Sequence, residues 1–338
     1  MTTRRDERPV VPADDPPRRL YVDPGVPDRI FRSVLRGGGS LVLAIMLLVG
    51  GFLTYRAWQA LEVAQWDFIT TEAWEPEGRN FGIAAVLVGT ILIALVAIVF
   101  AVPLALGTAL YISEYAPARI RQTLISVVDL MAAVPSVVYG LWGLFFFQGH
   151  VVTVSRWIST YLGWIPVFKV DGADPTDPLA TATVFTSSTF IAGMVVSLMV
   201  APIICSVMRE VFSQAPVGER EGAYALGANR WGMIRSVVLP FGKGGMIGGT
   251  MLGLGRALGE TIAVYLIISP VFQIQPHILQ NGTNSVSSLI ALRYGEATEF
   301  GMSALMAAGL ALFLMTLVVN FAASSIVARS RSGATSDS

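Results

Sequence analysis

Two ionisable residues draw attention because everything around them is apolar or small. In the stretch Gly244-Gly-Met-Ile-Gly-Gly-Thr-Met-Leu-Gly-Leu-Gly-Arg256-Ala-Leu-Gly-Glu260-Thr-Ile-Ala-Val-Tyr265, only Arg256 and Glu260 are charged. A charged side chain at the centre of a membrane-crossing helix costs about 2.5–3.5 kcal/mol on an insertion scale, so each needs a reason to be there. Arg256 suits an oxyanion, because its guanidinium stays charged when desolvated and offers a planar fork to two oxygens. At about 100° per residue, Gly245, Gly249, Gly253, Arg256 and Glu260 fall on one face of a helix. Glycines four apart allow a second helix to approach closely. Arg256 and Glu260 are one turn apart, so Glu260 is expected to hold the guanidinium when no anion is bound. The rival reading is a structural ion pair turned toward a neighbouring helix.

A second polar set lies in Asp129-Leu-Met-Ala-Ala-Val-Pro135-Ser136-Val-Val-Tyr139-Gly140. Asp129 and Ser136 are seven residues apart and would share a helix face. Pro135 frees a backbone carbonyl, and Tyr139 can reach the same side. An acid repels a travelling anion, so Asp129 reads as a gate residue or a structural partner. Ser136 and Tyr139 read as packing or kink residues ahead of direct ligands of the path. No Ser/His or His/Glu constellation marks a catalytic centre, and the two histidines and Cys205 lack metal-ligand spacing, so no catalytic residue and no metal site is expected.

A third group lies in the polar loop Pro216-Val-Gly-Glu-Arg-Glu221-Gly222-Ala223-Tyr-Ala225-Leu226-Gly227-Ala228-Asn-Arg-Trp231, followed by Val237-Val-Leu-Pro240. Pro216 suits a helix start, Glu219 and Glu221 suit a first turn, and Gly227 ends that helix. A second short helix is predicted from about Arg230 to Val238, giving a compact knob. Lys243 follows Gly242, but the flanking glycine and hydroxyl that a phosphate-binding loop requires are missing, so ATP hydrolysis must come from a partner chain.

The spacing Glu221-x-Ala223-x-x-x-Gly227 with Val237-x-Leu239-Pro240 resembles the coupling loop of type I ABC importer permeases, with Gly222 where alanine is frequent. Gly255-Arg-Ala-Leu-Gly-Glu-Thr261 and Pro135-Ser-Val-Val-Tyr-Gly140 resemble the permease subunits of bacterial phosphate-specific importers. That resemblance implies an all-α, six-helix permease fold and half of a translocation path. It also implies a sister permease (PstA), two PstB ATPases that bind ATP and magnesium, and a phosphate-binding protein, PstS. Glu260 would then accept a hydrogen bond from hydrogenphosphate, which sulfate cannot donate. The alternatives are the PstA branch itself, a permease for sulfate or molybdate, or a secondary anion transporter.

The elements that must hold these residues follow from composition. The chain has 338 residues, 54% hydrophobic and only 14% charged, and a mean hydropathy of +0.63. Soluble domains carry about 25% charged residues, so a soluble enzyme or a nucleic-acid binder is excluded. Six apolar stretches, 38–58, 82–112, 122–148, 183–208, 244–270 and 301–327, are each long enough to cross a core about 30 Å thick. The second is longer than needed and must tilt, protrude or bend near Pro103. Residues 1–36, rich in proline and arginine, are expected to be a cytoplasmic, disordered tail with a short helix near 28–36. Residues 37–60 then make the first crossing, 82–327 the permease core with its coupling loop at 213–240, and 328–338 a tail. Seventeen arginines and lysines fall on one side of this topology and five on the other, with Arg256 inside a span. The positive-inside rule therefore puts both termini in the cytoplasm of a multi-pass protein of the bacterial plasma membrane. In the outer segment 149–182, apolar residues at helical spacing suggest either a helix lying at the interface or a plain loop.

Overall fold

The computed structural model describes residues 25–172, 174, 176–177 and 182–331. Most of the predicted tail, residues 1–24, lies outside them. The helices are α1 (Val26–Ala64), the short α2 (Asp67–Thr70), α3 (Ala84–Leu110), α4 (Ala118–Ala133), α5 (Ser136–Trp142), α6 (Gln148–Leu162), α7 (Thr189–Ser213), α8 (Val217–Ala225), α9 (Arg230–Met233), α10 (Leu239–Leu258), α11 (Ile262–Ile267), α12 (Val286–Arg293) and α13 (Glu299–Arg331). A two-stranded hairpin, β1 (Trp74–Glu75) against β2 (Asn80–Phe81), completes the set. Single wide turns of π-helix extend α3 through Tyr115, join α5 to α6, and join α9 to α10.

By length and hydropathy, six segments among the described residues can cross a bilayer: Val26–Ala64, Ala84–Tyr115, Ser136–Leu162, Thr189–Ser213, Arg230–Leu258 and Glu299–Ala322. The number agrees with the six apolar stretches, but three boundaries differ for physical reasons. Residues 26–36 are helical and continuous with the first crossing, so the tail is shorter than composition suggests. The third crossing is displaced. The backbone is extended at Val134 and Pro135, which the steric demand of a proline on its predecessor explains, and the continuous helical run is 136–162. The amphipathic pattern after 149 is thus the end of that crossing, with Val151, Ser155 and Ser159 buried and Trp157 and Tyr161 exposed. The fifth crossing begins at Arg230, so the predicted second loop helix is the first turn of the span itself. It ends at Leu258 rather than running on to 270.

The residues before Gly50 form a unit of their own, and the described part of it is a helix exposed along its length. In the second unit, α7 is the central element. Val195, Val196, Val200 and Ile204 are sealed from solvent, and a Cβ on Gly193 would come within 2.6 Å of the Val96 side chain, a measure of how closely α3 lies alongside. Two apolar clusters result, one around α3 and α7, the other joining Ala57 and Ala60 of α1 to the hairpin and the first half of α13. In the second, Phe81 meets Phe68, Trp74 and Phe300 edge to face, and Ser303 donates to the Arg56 carbonyl while accepting from the Ala60 N–H.

Candidate functional site

The glycine row of α10 does what its spacing predicts. Cβ atoms on Gly245, Gly249 and Gly253 would meet Val211, Val207 and Ile204 of α7, so α10 lies tightly along that helix. A second set of glycines faces elsewhere: a Cβ on Gly248 would meet nothing within 4 Å, and one on Gly259 only the preceding turn's carbonyls. Leu252, 55% exposed, and Arg256, also exposed, share that open face. The helix therefore has one face packed against its own chain and one side left open. Arg256, expected on the face of the glycine row, stands instead on the open side, because α7 covers that row.

Arg256 lines an open cleft of about 450 Å³ with Ile203 and Gly255, and with Thr316 and Asn320 of α13. Ile203 lies near the middle of α7, so the cleft that Arg256 lines opens level with the middle of that helix, although Arg256 is close to the end of its own crossing at Leu258. Among the described residues no carboxylate lies within ion-pair distance of it. Thr316 and Asn320 escaped the sequence reading. The signal was a lone asparagine inside the apolar stretch 301–327, visible but without a partner until the fold supplied one.

Glu260 is placed differently from expectation. The helix stops at Leu258, so the face argument that put Glu260 beside Arg256 fails at Gly259. Glu260 is 8% exposed and turns to the start of α11, where its Oε1 accepts from the Ala263 N–H at 3.2 Å. Its backbone carbonyl accepts from the Ser287 hydroxyl at 2.7 Å. A carboxylate at a helix N-terminus is favoured by the amide dipoles there. The expected pair with Arg256 is not formed; Glu260 fixes the bend between α10 and α11.

Behind that bend lies a polar core that no motif announced. Thr283, Asn284, Ser285, Ser287 and Ser288 are buried; Ser285 caps α12 through the Ser288 N–H, and Thr90 of α3 accepts from the Val286 N–H at 3.0 Å. Gly89 admits this loop: a Cβ there would lie 2.0 Å from the Asn284 carbonyl oxygen.

The third-crossing residues are separated too. The extended link at Val134–Pro135 removes the shared face of Asp129 and Ser136. Asp129 is exposed on α4 and accepts from the Ser206 hydroxyl of α7 at 3.1 Å. Tyr139 donates to the Met131 carbonyl at 3.0 Å, bridging the break. Ser136 opens α5 directly after Pro135. None of the three lines the Arg256 cleft.

The loop knob matches its reading at the first helix. α8 runs from Val217 to Ala225, and Gly227 takes φ +85°, which glycine adopts without strain. The Ala228 N–H reaches back to the Ala223 carbonyl, and Asn229 caps α9 through the Gly232 N–H at 2.7 Å. Arg220 anchors the knob: it donates to Glu114 at 2.9 Å and to the carbonyls of Phe212 and Ala215. Arg230 lies over the Tyr115 ring, 5.2 Å from its centre. Outward, Glu221, Gly222 and Ala225 are exposed, as are Tyr224 (45%), Trp231 (56%) and Leu226 (91%). A leucine so exposed, beside two aromatic rings and rimmed by charges, has the composition of a docking face.

Residues 101–332 match the model of the binding-protein-dependent transport system inner membrane component family. The chain is 37% identical over 303 residues to the phosphate transport system permease protein PstC 2 of Mycobacterium tuberculosis, covering 88% of this chain and 91% of that protein. It is 38% identical over 306 residues to PstC of Mycobacterium leprae (88% and 92%) and 36% identical over 294 residues to PstC of Pasteurella multocida (86% and 88%). Among solved structures, it resembles a bacterial ABC transporter involved in import of the acidic polysaccharide alginate, with TM-score 0.53, 19% identity and coverage of 89% and 99%. It also resembles the inward-facing MetNI methionine ABC transporter, with TM-score 0.51, 14% identity and coverage of 73% and 95%. These two likenesses concern the fold.

Proposed function

We propose, from the premise that this chain belongs to the binding-protein-dependent transport system inner membrane component family and within it to the PstC permeases, that it is a membrane subunit of an ATP-driven phosphate importer. It forms one half of the translocation path. The sister permease, PstA, supplies the other half, two PstB ATPases bind ATP and magnesium, and PstS delivers phosphate from outside. Both termini are then cytoplasmic, in keeping with the arginine excess on that side.

The observation that carries this reading is the position of Arg256. Acyl chains are a poor environment for an exposed guanidinium in a cleft level with the middle of α7, so the open side of α10 is turned to water or to another subunit. The small residues beside it admit a close neighbour, and the fork of Arg256 is matched to two phosphate oxygens. With Asn320 in the same cleft, its side-chain amide adds a neutral donor to one full charge, while Thr316 donates its hydroxyl to the Phe313 carbonyl of its own helix. ATP-driven closure of the ATPases moves the knob around Glu221–Trp231. Because α9 runs without interruption into α10, that motion is transmitted along the helix that carries Arg256.

The test is phosphate uptake in a strain lacking its own phosphate permease, complemented with this chain and its partners. Arg256→Ala should reduce uptake at least tenfold while the assembled complex still hydrolyses ATP. Uptake at the parental rate in Arg256→Ala would overturn the assignment.

A further inference from the structure

A second basic cavity lies at the opposite end of α7 from the outer loops, on the arginine-rich side. It measures about 170 Å³ and is walled by Ser113 at the end of α3, Arg121 and Ile125 of α4, Arg209 and Ser213 of α7, and Arg220 of α8. Three guanidiniums meet here, from three different elements, and no carboxylate lines the space. Of the acids around it, Glu114 is 4% exposed and already engaged by Arg220, and Asp129 accepts from Ser206. Arg121, exposed, donates to the Ser113 and Ala116 carbonyls, and Arg220 donates to those of Phe212 and Ala215 besides its ion pair with Glu114, so both are held in place, with the charges of Arg121 and Arg209 left uncompensated. Arg209 is half-buried and has neither a hydrogen bond nor an ion pair among the described residues.

Cations gathered in a partly desolvated space repel one another, and a bound anion relieves that repulsion. The ends of α3 and α7 mark the edge of the crossing region, where basic pockets between helices take anionic head groups. The volume falls below the range of about 300–1,000 Å³ that holds drug-sized ligands, which disfavours a nucleotide and fits a single phosphoryl group. Ser113 and Ser213 complete the wall, their hydroxyls donating to the Leu110 and Glu210 carbonyls of their own helices, so the arginines alone supply donors to a ligand.

We propose that this pocket binds one phosphoryl group, from a phospholipid head group or free phosphate, at the joint between the coupling knob and the crossing helices. The site is separate from Arg256 and stands without the reading given to that residue. Its ligand would join α4, α7 and α8 through their arginines, so occupancy stiffens the attachment of the knob.

The full-length chain carrying Arg256→Ala, which removes the other phosphate-seeking cation, is reconstituted in phosphatidylcholine nanodiscs. Its melting temperature is followed while inorganic phosphate is added and, separately, while phosphatidylglycerol replaces phosphatidylcholine. The expected result is a rise in melting temperature whose half-maximal concentration shifts upward about fivefold in Arg209→Gln, the scale of one basic side chain near a membrane surface, and returns toward the parent in Arg209→Lys. An Arg209-dependent response to phosphatidylglycerol alone identifies the lipid; one to phosphate identifies the free anion. Arg121→Gln, on another wall, provides the same comparison if Arg209→Gln does not fold. No response to either addition, or equal responses in parent and variant, would overturn the proposal.

Discussion

Arg256 and Glu260 show how position separates two charges that the sequence places one turn apart. Arg256 remains on a helix and faces open space; Glu260 lies beyond the helix end and serves the next helix. Their substitutions should therefore differ in kind. In Glu260→Gln the amide oxygen still accepts from Ala263, and only the charge at the α11 N-terminus is lost, a cost of about 0.3–1 kcal/mol. Phosphate affinity in transport assays should stay within about twofold of the parent, with a small drop in melting temperature. Glu260→Ala also loses the hydrogen bond and should cost about 1 kcal/mol. If Glu260→Gln instead raised the half-saturating phosphate concentration as much as Arg256→Ala, the carboxylate would contact the cargo and the division of labour drawn here would be wrong.

At the scale of elements, glycines decide where helices and loops come together. Gly89 and Gly248 look alike in the sequence, each inside an apolar stretch. Only Gly89 has another backbone against it, the Asn284 carbonyl of the buried serine-rich loop. Gly89→Ala should force α3 and that loop apart, destabilising the chain by about 1–3 kcal/mol, as overpacking does. The drop should be visible in a thermal melt of the purified subunit. Gly248→Ala should melt at or slightly above the parental temperature in the isolated chain, because its Cβ meets nothing there and alanine favours the helix by about 0.5–1 kcal/mol, and should do harm only once a second subunit is bound. A parental melting temperature for Gly89→Ala would contradict the close approach. The break before Ser136 belongs to this scale as well. Pro135 signalled a perturbation in the sequence, but a proline in an apolar stretch is read either as a kink or as an end. The extended link and the Tyr139–Met131 hydrogen bond make it an end.

For the molecule as a whole, the knob and the cleft lie on one mechanical line, from α8 through α9 and its wide turn into α10. Leu226, 91% exposed at the tip, is not needed for the fold. Leu226→Glu should leave the melting temperature of the subunit unchanged within about 1 °C, as surface changes usually cost under 0.5 kcal/mol. It should lower both co-purification of the ATPase subunit and phosphate uptake by about an order of magnitude. Retention of both at parental levels would mean that the ATPase docks elsewhere.

The amino-acid sequence by itself determined the number of crossings, the expected sidedness and the knob. These are one-dimensional quantities: apolar length, cation count, and the local backbone preferences of Pro216, Gly227 and Asn229. It also identified Arg256, because a charge inside an apolar stretch is conspicuous without any fold. Tertiary structure alone decided which charges meet. Periodicity extrapolates a helix through Gly259 and Val134 as though neighbours did not matter. The chain ends both helices where another element compensates the freed polar groups: Glu260 and Ser287 at one break, Tyr139 at the other. The Thr316–Asn320 side of the cleft and the three-arginine pocket are assembled from helices far apart in sequence, so no spacing within one segment could have revealed them.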